Sequence, residues 1–168
     1  MGQSLPIPST SLVGRDLEVA AAANSLRRAD VRLLTLTGPP GIGKTRLVLA
    51  VATALCNEFE HGVYFVDLAP LSDANLVVPT IAQALGLRPG SARPLIQELE
   101  EHLGRGRVLL VLDNFEQVIA AAPAVAELLQ AAQTVKVLVT SRELLRIAAE
   151  HNFPVPPLSL PPVLADQG

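Results

Sequence analysis

The sequence predicts an α/β fold in three layers, a five-stranded parallel sheet with helices on both faces, and three observations point there. Short apolar runs rich in Leu and β-branched residues alternate with helical patterns, the signature of βαβ units. Hydrophobic residues make up 49% of the chain and aromatics only 3%. That balance, with Ala, Val and Leu dominant, favours helices packed on a sheet over an aromatic-rich sandwich. A length of 168 residues suits one domain around one core.

The five expected strands are Arg32 to Leu36, Val63 to Leu68, Arg107 to Asp113, Lys136 to Thr140 and a weaker one near His151 to Val155. Several are continuous apolar runs, as strands covered on both faces should be. Among the helices, Asp16 to Arg28 precedes the first strand. Lys44 to Asn57 carries Leu47, Val48, Val51, Ala54 and Leu55 at the spacing of one helical face. A further helix lies before Gly86, another follows a Ser91 cap, and Glu116 to Ala132 forms one more. Pro79 and Pro94 are expected in first turns, where the missing N–H costs nothing.

Charge and cysteine usage exclude several classes. A net charge of −3 offers no general attraction for polyanions, so nucleic acid binding by this segment itself is not expected. The single cysteine, Cys56, forms no internal disulfide, and no residue group has metal-ligand spacing. No apolar stretch reaches the roughly 18 residues of a membrane helix, and no secretory leader is apparent. A cytoplasmic setting is expected, without membrane contact. His61, His102 and His151 fall near element ends without evident partners.

Gly38-Pro39-Pro40-Gly41-Ile42-Gly43-Lys44-Thr45 fills every fixed position of G-x-x-x-x-G-K-[ST], the phosphate-loop or Walker A pattern. It follows an expected strand and opens an expected helix, as it must if main-chain amides and a helix N-terminus are to surround a phosphate. Pro39 and Pro40 lack N–H groups, so the donors come from Gly41, Ile42, Gly43, Lys44 and Thr45, with Arg46 next in line. Lys44 would set its ammonium against the β and γ phosphates, and the Thr45 hydroxyl would ligate magnesium.

Val108 to Asp113 is an apolar strand ending in a carboxylate, the form of a Walker B element. Asp113 is the expected magnesium partner, beside the phosphate loop. Asn114 follows where many ATPases carry a second acid; an amide can orient water but cannot take its proton. Glu116 is the nearest candidate base, and equally suits a helix first turn, where the dipole favours negative charge. Arg142, beyond the Lys136 to Thr140 strand, could sense a γ-phosphate or stand as a surface arginine. Asp67 also ends a strand and reads as structural.

These residues resemble a known family. Leu12-Val13-Gly14-Arg15-Asp16-Leu17-Glu18 is similar to the element that precedes the phosphate loop in STAND-class NTPases, relatives of the NB-ARC domains. GPPGIGKTR, VLLVLDNFEQV, VLVTSRE and FPVPPLSLP resemble the ATPase domain of large bacterial LuxR-type and SARP-type transcriptional regulators. The resemblance runs from about Leu12 to Leu160. It implies the sheet order 5-1-4-3-2, ATP or ADP with Mg2+ as ligands, Val13 and Arg15 against adenine and ribose, and Arg142 as the sensor. With the FPVPPLSLPP tail read from its composition as an extended connector, the chain divides into an extension (1–11), a nucleotide-binding domain (12–153) and a Pro-rich linker (154–168). Beyond the linker it implies a lid with a winged helix, then repeats or a DNA-binding domain in a longer parent. A nucleotide-dependent oligomer is compatible with this reading.

The expected function is a nucleotide-dependent switch with slow hydrolysis in a signal-responsive regulator. An autonomous ATPase or small-molecule P-loop kinase is the first alternative; a kinase would need an acceptor pocket and an arginine-bearing lid, which the motifs do not supply. A nucleotide-free scaffold is the second, opposed by intact Lys44, Thr45 and Asp113.

Overall fold

A computed structural model of the protein describes residues 3–6, 14–88, 90 and 92–157. Among the described residues six strands form one parallel sheet: β1 Gln3–Ser4, β2 Leu33–Thr37, β3 Val63–Asp67, β4 Val108–Asp113, β5 Val135–Ser141 and β6 Glu150–Pro154. Their order is β1-β3-β4-β5-β2-β6. Stripped of β1, this is the expected five-strand order. The addition is the pairing of Gln3 with Val63 and Ser4 with Tyr64, so part of the expected extension caps one sheet edge. A two-residue strand has no periodicity for a sequence to display.

Among the described residues five α-helices cover the sheet: α1 Asp16–Arg27, α2 Lys44–Leu55, α3 Val77–Ala84, α4 Leu95–Leu103 and α5 Ala122–Ala131. The helices divide between two faces. Leu109 and Val111 of β4 join α1 and α2 in one core, with Leu34, Leu36, Leu47, Val48 and Leu138. Val108, Leu110 and Leu112 join α3, α4 and α5 in the other, with Ile81, Leu99, Val125 and Leu129. Successive strand residues point to opposite faces, so a strand buried on both sides must be apolar at every position. All six β4 residues are buried, which explains the unbroken run ending in Asp113.

Three local expectations change. The helix expected over Glu116 to Ala132 is broken: a 3-10 segment, Phe115–Ala121, contains non-helical Val118 (φ −137°, ψ 40°), and α5 restarts at Ala122 with Pro123 in its first turn. Proline fits there because the first N–H groups of a helix have no intrahelical acceptor, whereas it would break a continuous helix. Pro94 is the N-cap of α4, with extended ψ of 139°, rather than a first-turn residue; the expected Ser91 cap lies outside the described residues. Finally, β6 runs to Pro154, and Val155 is buried and donates its N–H to the Thr37 carbonyl at 2.8 Å. The start of the Pro-rich tail therefore belongs to the sheet, on an edge strand where proline is tolerated.

The turn between β5 and β6 is fixed by one side chain. The Glu150 carboxylate accepts from the Thr35 hydroxyl at 2.6 Å and from the Leu145 and Arg146 N–H groups at 2.8 and 2.9 Å. This holds the segment after Arg142 against β2. Among the described residues no helix is long and apolar enough to cross a membrane.

Candidate nucleotide site

The carboxyl edge of the sheet gathers the ends of β2, β3, β4 and β5, and the motif residues meet there. After β2 the loop turns through Gly41 at φ 81° and Gly43 at φ 92°, left-handed conformations that a Cβ would oppose. Gly43 is the N-cap of α2 and supplies no side-chain cap, so the first-turn N–H groups of a 12-residue helix face outward as donors.

Lys44 is buried at 8% exposure, and its ammonium donates to the Gly38 carbonyl at 2.6 Å and the Pro39 carbonyl at 3.0 Å. Burial lowers its pKa, partly offset by the Glu116 carboxylate. The loop thus holds a desolvated cation on carbonyls, which is weak compensation for a charge, so an anion arriving at the loop would be strongly attracted.

Arg15 lies behind the loop at 1% exposure. Its Nη1 donates to the Pro156 carbonyl at 2.6 Å and its Nη2 to the Ile42 carbonyl at 2.9 Å, with Glu18 3.6 Å away. In a planar trans peptide the carbonyl and the next N–H point oppositely. By holding the Ile42 carbonyl, Arg15 therefore turns the Gly43 N–H to the other side, and Gly43 lines the open cleft. The guanidinium is spent on main chain, joining the phosphate loop to the segment leaving β6. Val13 lies outside the described residues.

Asp113, 2% exposed, accepts from the Thr45 hydroxyl at 3.1 and 2.9 Å and from the Thr140 hydroxyl. Thr140 in turn accepts from the Asn114 N–H at 2.9 Å, which directs its own proton to the carboxylate. Burial raises the Asp113 pKa, and the Thr140 and Thr45 hydroxyls pull it partly back. Asn114 adopts φ 65°, ψ 47°, and its Nδ2 donates to Asp113 Oδ2 at 3.1 Å and Asp67 Oδ1 at 3.3 Å. Thr140 is a participant that sequence reasoning passed over, and Asp67, read there as structural, joins the same network. Thr140 stands in the quoted VLVTSRE run and could have been suspected as a polar residue at an apolar strand's end.

Glu116 and Arg142 face each other across 3.7 Å, with Glu116 14% and Arg142 56% exposed. Glu116 Oε2 is buried and has no hydrogen-bond partner among the described residues. Glu116 is also the acid in the first turn of the 3-10 segment, so its two expected readings coincide in one place. These side chains share an open cleft of about 320 Å³ with Pro40, Gly41, Gly43, Lys44, Thr45, Arg46, Asn114 and Gln117. Lys44, Arg46 and Arg142 oppose one lining carboxylate, Glu116, so the cleft favours anions.

Thr45 and Asp113 are hard oxygen donors of the kind magnesium takes. The buried carboxylate is met by hydroxyl and amide donors instead of a cationic side chain, which suits a site able to take a divalent ion. Among the described residues no group of three or more His, Cys, Asp or Glu side chains could hold a metal, so such an ion would also need phosphate oxygens and water. His102, expected to stand alone, is half-buried, and burial with nearby Arg105 and His61 lowers its pKa.

Residues 27–151 match the family model described as an AAA domain. The chain belongs to this AAA domain family. Within it, the chain is 41% identical over 133 residues to a Mycobacterium tuberculosis protein named "Putative HTH-type transcriptional regulator", covering 79% of this chain and 15% of that protein. It therefore spans about one seventh of that relative's length. Among solved structures, Cdc6p from Pyrobaculum aerophilum superposes with a TM-score of 0.61 at 18% identity, covering 84% of this chain and 42% of that one. The Aeropyrum pernix ORC2 protein, solved as ADPNP–ADP complexes, gives 0.58 at 19% identity, covering 90% and 50%. At these identities the likeness carries the fold, an AAA-type P-loop ATPase architecture.

Proposed function

We propose that this AAA domain is a nucleotide-dependent switch: it binds ATP or ADP with magnesium, hydrolyses ATP slowly, and passes the state of the nucleotide to neighbouring parts of a signal-responsive transcriptional regulator. The observation that carries this reading is the continuity of the phosphate loop with Thr45 and Asp113: a donor-rich helix start, a desolvated ammonium and the Thr45 hydroxyl line one cleft, and the Asp113 carboxylate is bonded to that hydroxyl directly behind it. The name of the mycobacterial relative supports the regulatory context. Gly14-Arg15, the phosphate loop and the VLVTSRE run support the narrower STAND-class assignment, with residues 12–153 as the nucleotide-binding unit.

In this mechanism the amides from Gly41 to Thr45 bind the β and γ phosphates, and Lys44 exchanges the Gly38 and Pro39 carbonyls for phosphate oxygens. Thr45 and Asp113 would hold magnesium, which would supply neutralisation of phosphate charge. Arg142 reaches the γ-phosphate and Glu116, with its unpartnered oxygen, accepts the proton of the attacking water. Asn114, standing where a second acid could be, makes turnover slow. Arg15 passes occupancy of the loop to Pro156 and the segment beyond.

Titration of labelled ATP and ADP with magnesium tests this. The unaltered chain is expected to bind both, and Lys44→Ala to bind at least about tenfold more weakly, or about 1.4 kcal/mol. Equal retention by both proteins would defeat the binding model. Phosphate release at about one per second or faster would instead favour an autonomous enzyme, and no rise in melting temperature with either nucleotide would favour a scaffold.

A further inference from the structure

The ends of β3 and β4 place two carboxylates side by side, and the Asn114 amide lies between them. In the parallel register Asp67 is opposite Asp113. The chain then turns at Asn114 through a left-handed conformation, which asparagine tolerates better than most residues, and its side chain folds back over both strand ends. Its Nδ2 reaches Asp113 Oδ2 at 3.1 Å and Asp67 Oδ1 at 3.3 Å.

Chemistry decides which way this amide faces. An NH2 group carries two donors and no acceptor, whereas an ionised carboxylate only accepts. A flipped amide would set its carbonyl oxygen against two carboxylate oxygens, so the NH2 group must face the acids. Asp113 alone would leave the terminal torsion loosely fixed, because rotation about that bond is soft. The second acceptor sets the plane. Asp67 is itself anchored, since its Oδ1 also takes the Ala69 N–H at 2.9 Å. Asn114 lines the cleft shared with Lys44, Glu116 and Arg142, and its Oδ1 is the polar atom left to face it.

We propose that Asp67 is a positioning residue for hydrolysis: it orients the Asn114 amide so that the carbonyl oxygen accepts a hydrogen bond from the attacking water. This rests on the nucleotide-switch reading above. The water oxygen forms its bond to the γ-phosphorus as the bond to the β–γ bridging oxygen breaks. ADP leaves with that oxygen, one water proton passes to the Glu116 carboxylate, and the other stays on the phosphate product. Asn114 takes no proton. Asp67 touches neither water nor nucleotide.

The test uses the 168-residue chain and compares single-turnover hydrolysis with ATP affinity for Asp67→Ala, Asp67→Asn, Asn114→Ala and the Asp67→Ala/Asn114→Ala pair. Asp67→Ala is expected to slow hydrolysis about tenfold while the Kd for ATP stays within about twofold. Asp67→Asn keeps an oxygen acceptor and is expected to restore most of the rate, which a merely charged role would not do. The double variant is expected to be no slower than Asn114→Ala, because the two residues act in series. Unchanged hydrolysis in Asp67→Ala, or multiplying losses in the pair, overturns the proposal and leaves nucleotide binding intact. Binding without any hydrolysis by the unaltered chain also overturns it. Failure of that chain to bind ATP sinks the switch reading instead. A readout independent of turnover is the Asn114 side-chain amide by NMR. Both protons are expected to exchange slowly in the unaltered chain and one to become fast in Asp67→Ala; fast exchange of both in the unaltered chain contradicts the arrangement.

Discussion

At the scale of single residues, the site is held by buried polar groups whose costs are met by function. Burial raises the Asp113 pKa above the ordinary aspartate value of 3.8, so the folded chain holds this proton more tightly than the unfolded one. The stability this group contributes is fully present below that ordinary value and is lost as pH rises through the folded value. At neutral pH the ionised carboxylate therefore opposes folding. Asp113→Asn is expected to raise the melting temperature at pH 7 while weakening magnesium-dependent nucleotide binding, with the thermal gain shrinking as pH falls toward the ordinary aspartate range; melting curves across pH check the sign. Arg15 instead stabilises the fold through main-chain hydrogen bonds. Arg15→Ala leaves the Ile42 and Pro156 carbonyls without their donors and is expected to cost about 2–4 kcal/mol in denaturant unfolding. Arg15→Lys is expected to recover only part, because an ammonium lacks the fork that serves two carbonyls.

At the scale of elements, periodic segments were legible in the sequence and their interruptions were not. Lys44–Leu55 displays its buried stripe openly, with Leu47, Val48, Val51 and Leu55 turned to the core, although Ala54, expected on that face, is exposed and Ala52 is buried instead. The segment after Asn114 looks equally helical, yet it breaks at Val118 before α5 begins. Phe115 and Val118 are both buried there, so packing against the sheet end overrides local helical preference. Pro123 carried the signal, because proline suits a first turn and not an interior. Pro123→Ala is accordingly expected to change stability by less than about 0.5 kcal/mol, whereas Leu128→Pro, in the body of α5, is expected to cost about 3 kcal/mol or more. Thermal unfolding of the two variants separates a short helix with a proline start from one long helix.

At the scale of the whole molecule, two cores share one sheet, and β4 belongs to both. Leu110 is fully buried on the α3, α4 and α5 side, and Leu110→Ala is expected to cost about 2–5 kcal/mol. Leu17→Ala, at 84% exposure, is expected to be near neutral. The same sheet explains which parts of the site could be read in advance. The phosphate loop and the acid-ended strand are contiguous in sequence, so spacing alone reveals them. Contacts across strands leave no such trace: Thr140 meets Asp113 over 27 positions, Asn114 meets Asp67 over 47, and Arg15 meets Pro156 over 141. Arg15 was expected beside a nucleotide on resemblance, and its place behind the loop follows from a pairing that only the closed fold creates.

In the proposed switch, the turn from Gly41 to Thr45 grips a polyphosphate with main-chain amides and the Lys44 ammonium. Following the backbone amide resonances of Gly43, Lys44 and Thr45 by NMR during a titration with magnesium and ADP tests it most directly. Large, saturating downfield shifts confined to this turn and the neighbouring Asp113 strand end are the expected result. Saturating nucleotide that leaves those three resonances in place, while Lys44 keeps its contacts with Gly38 and Pro39, would contradict it.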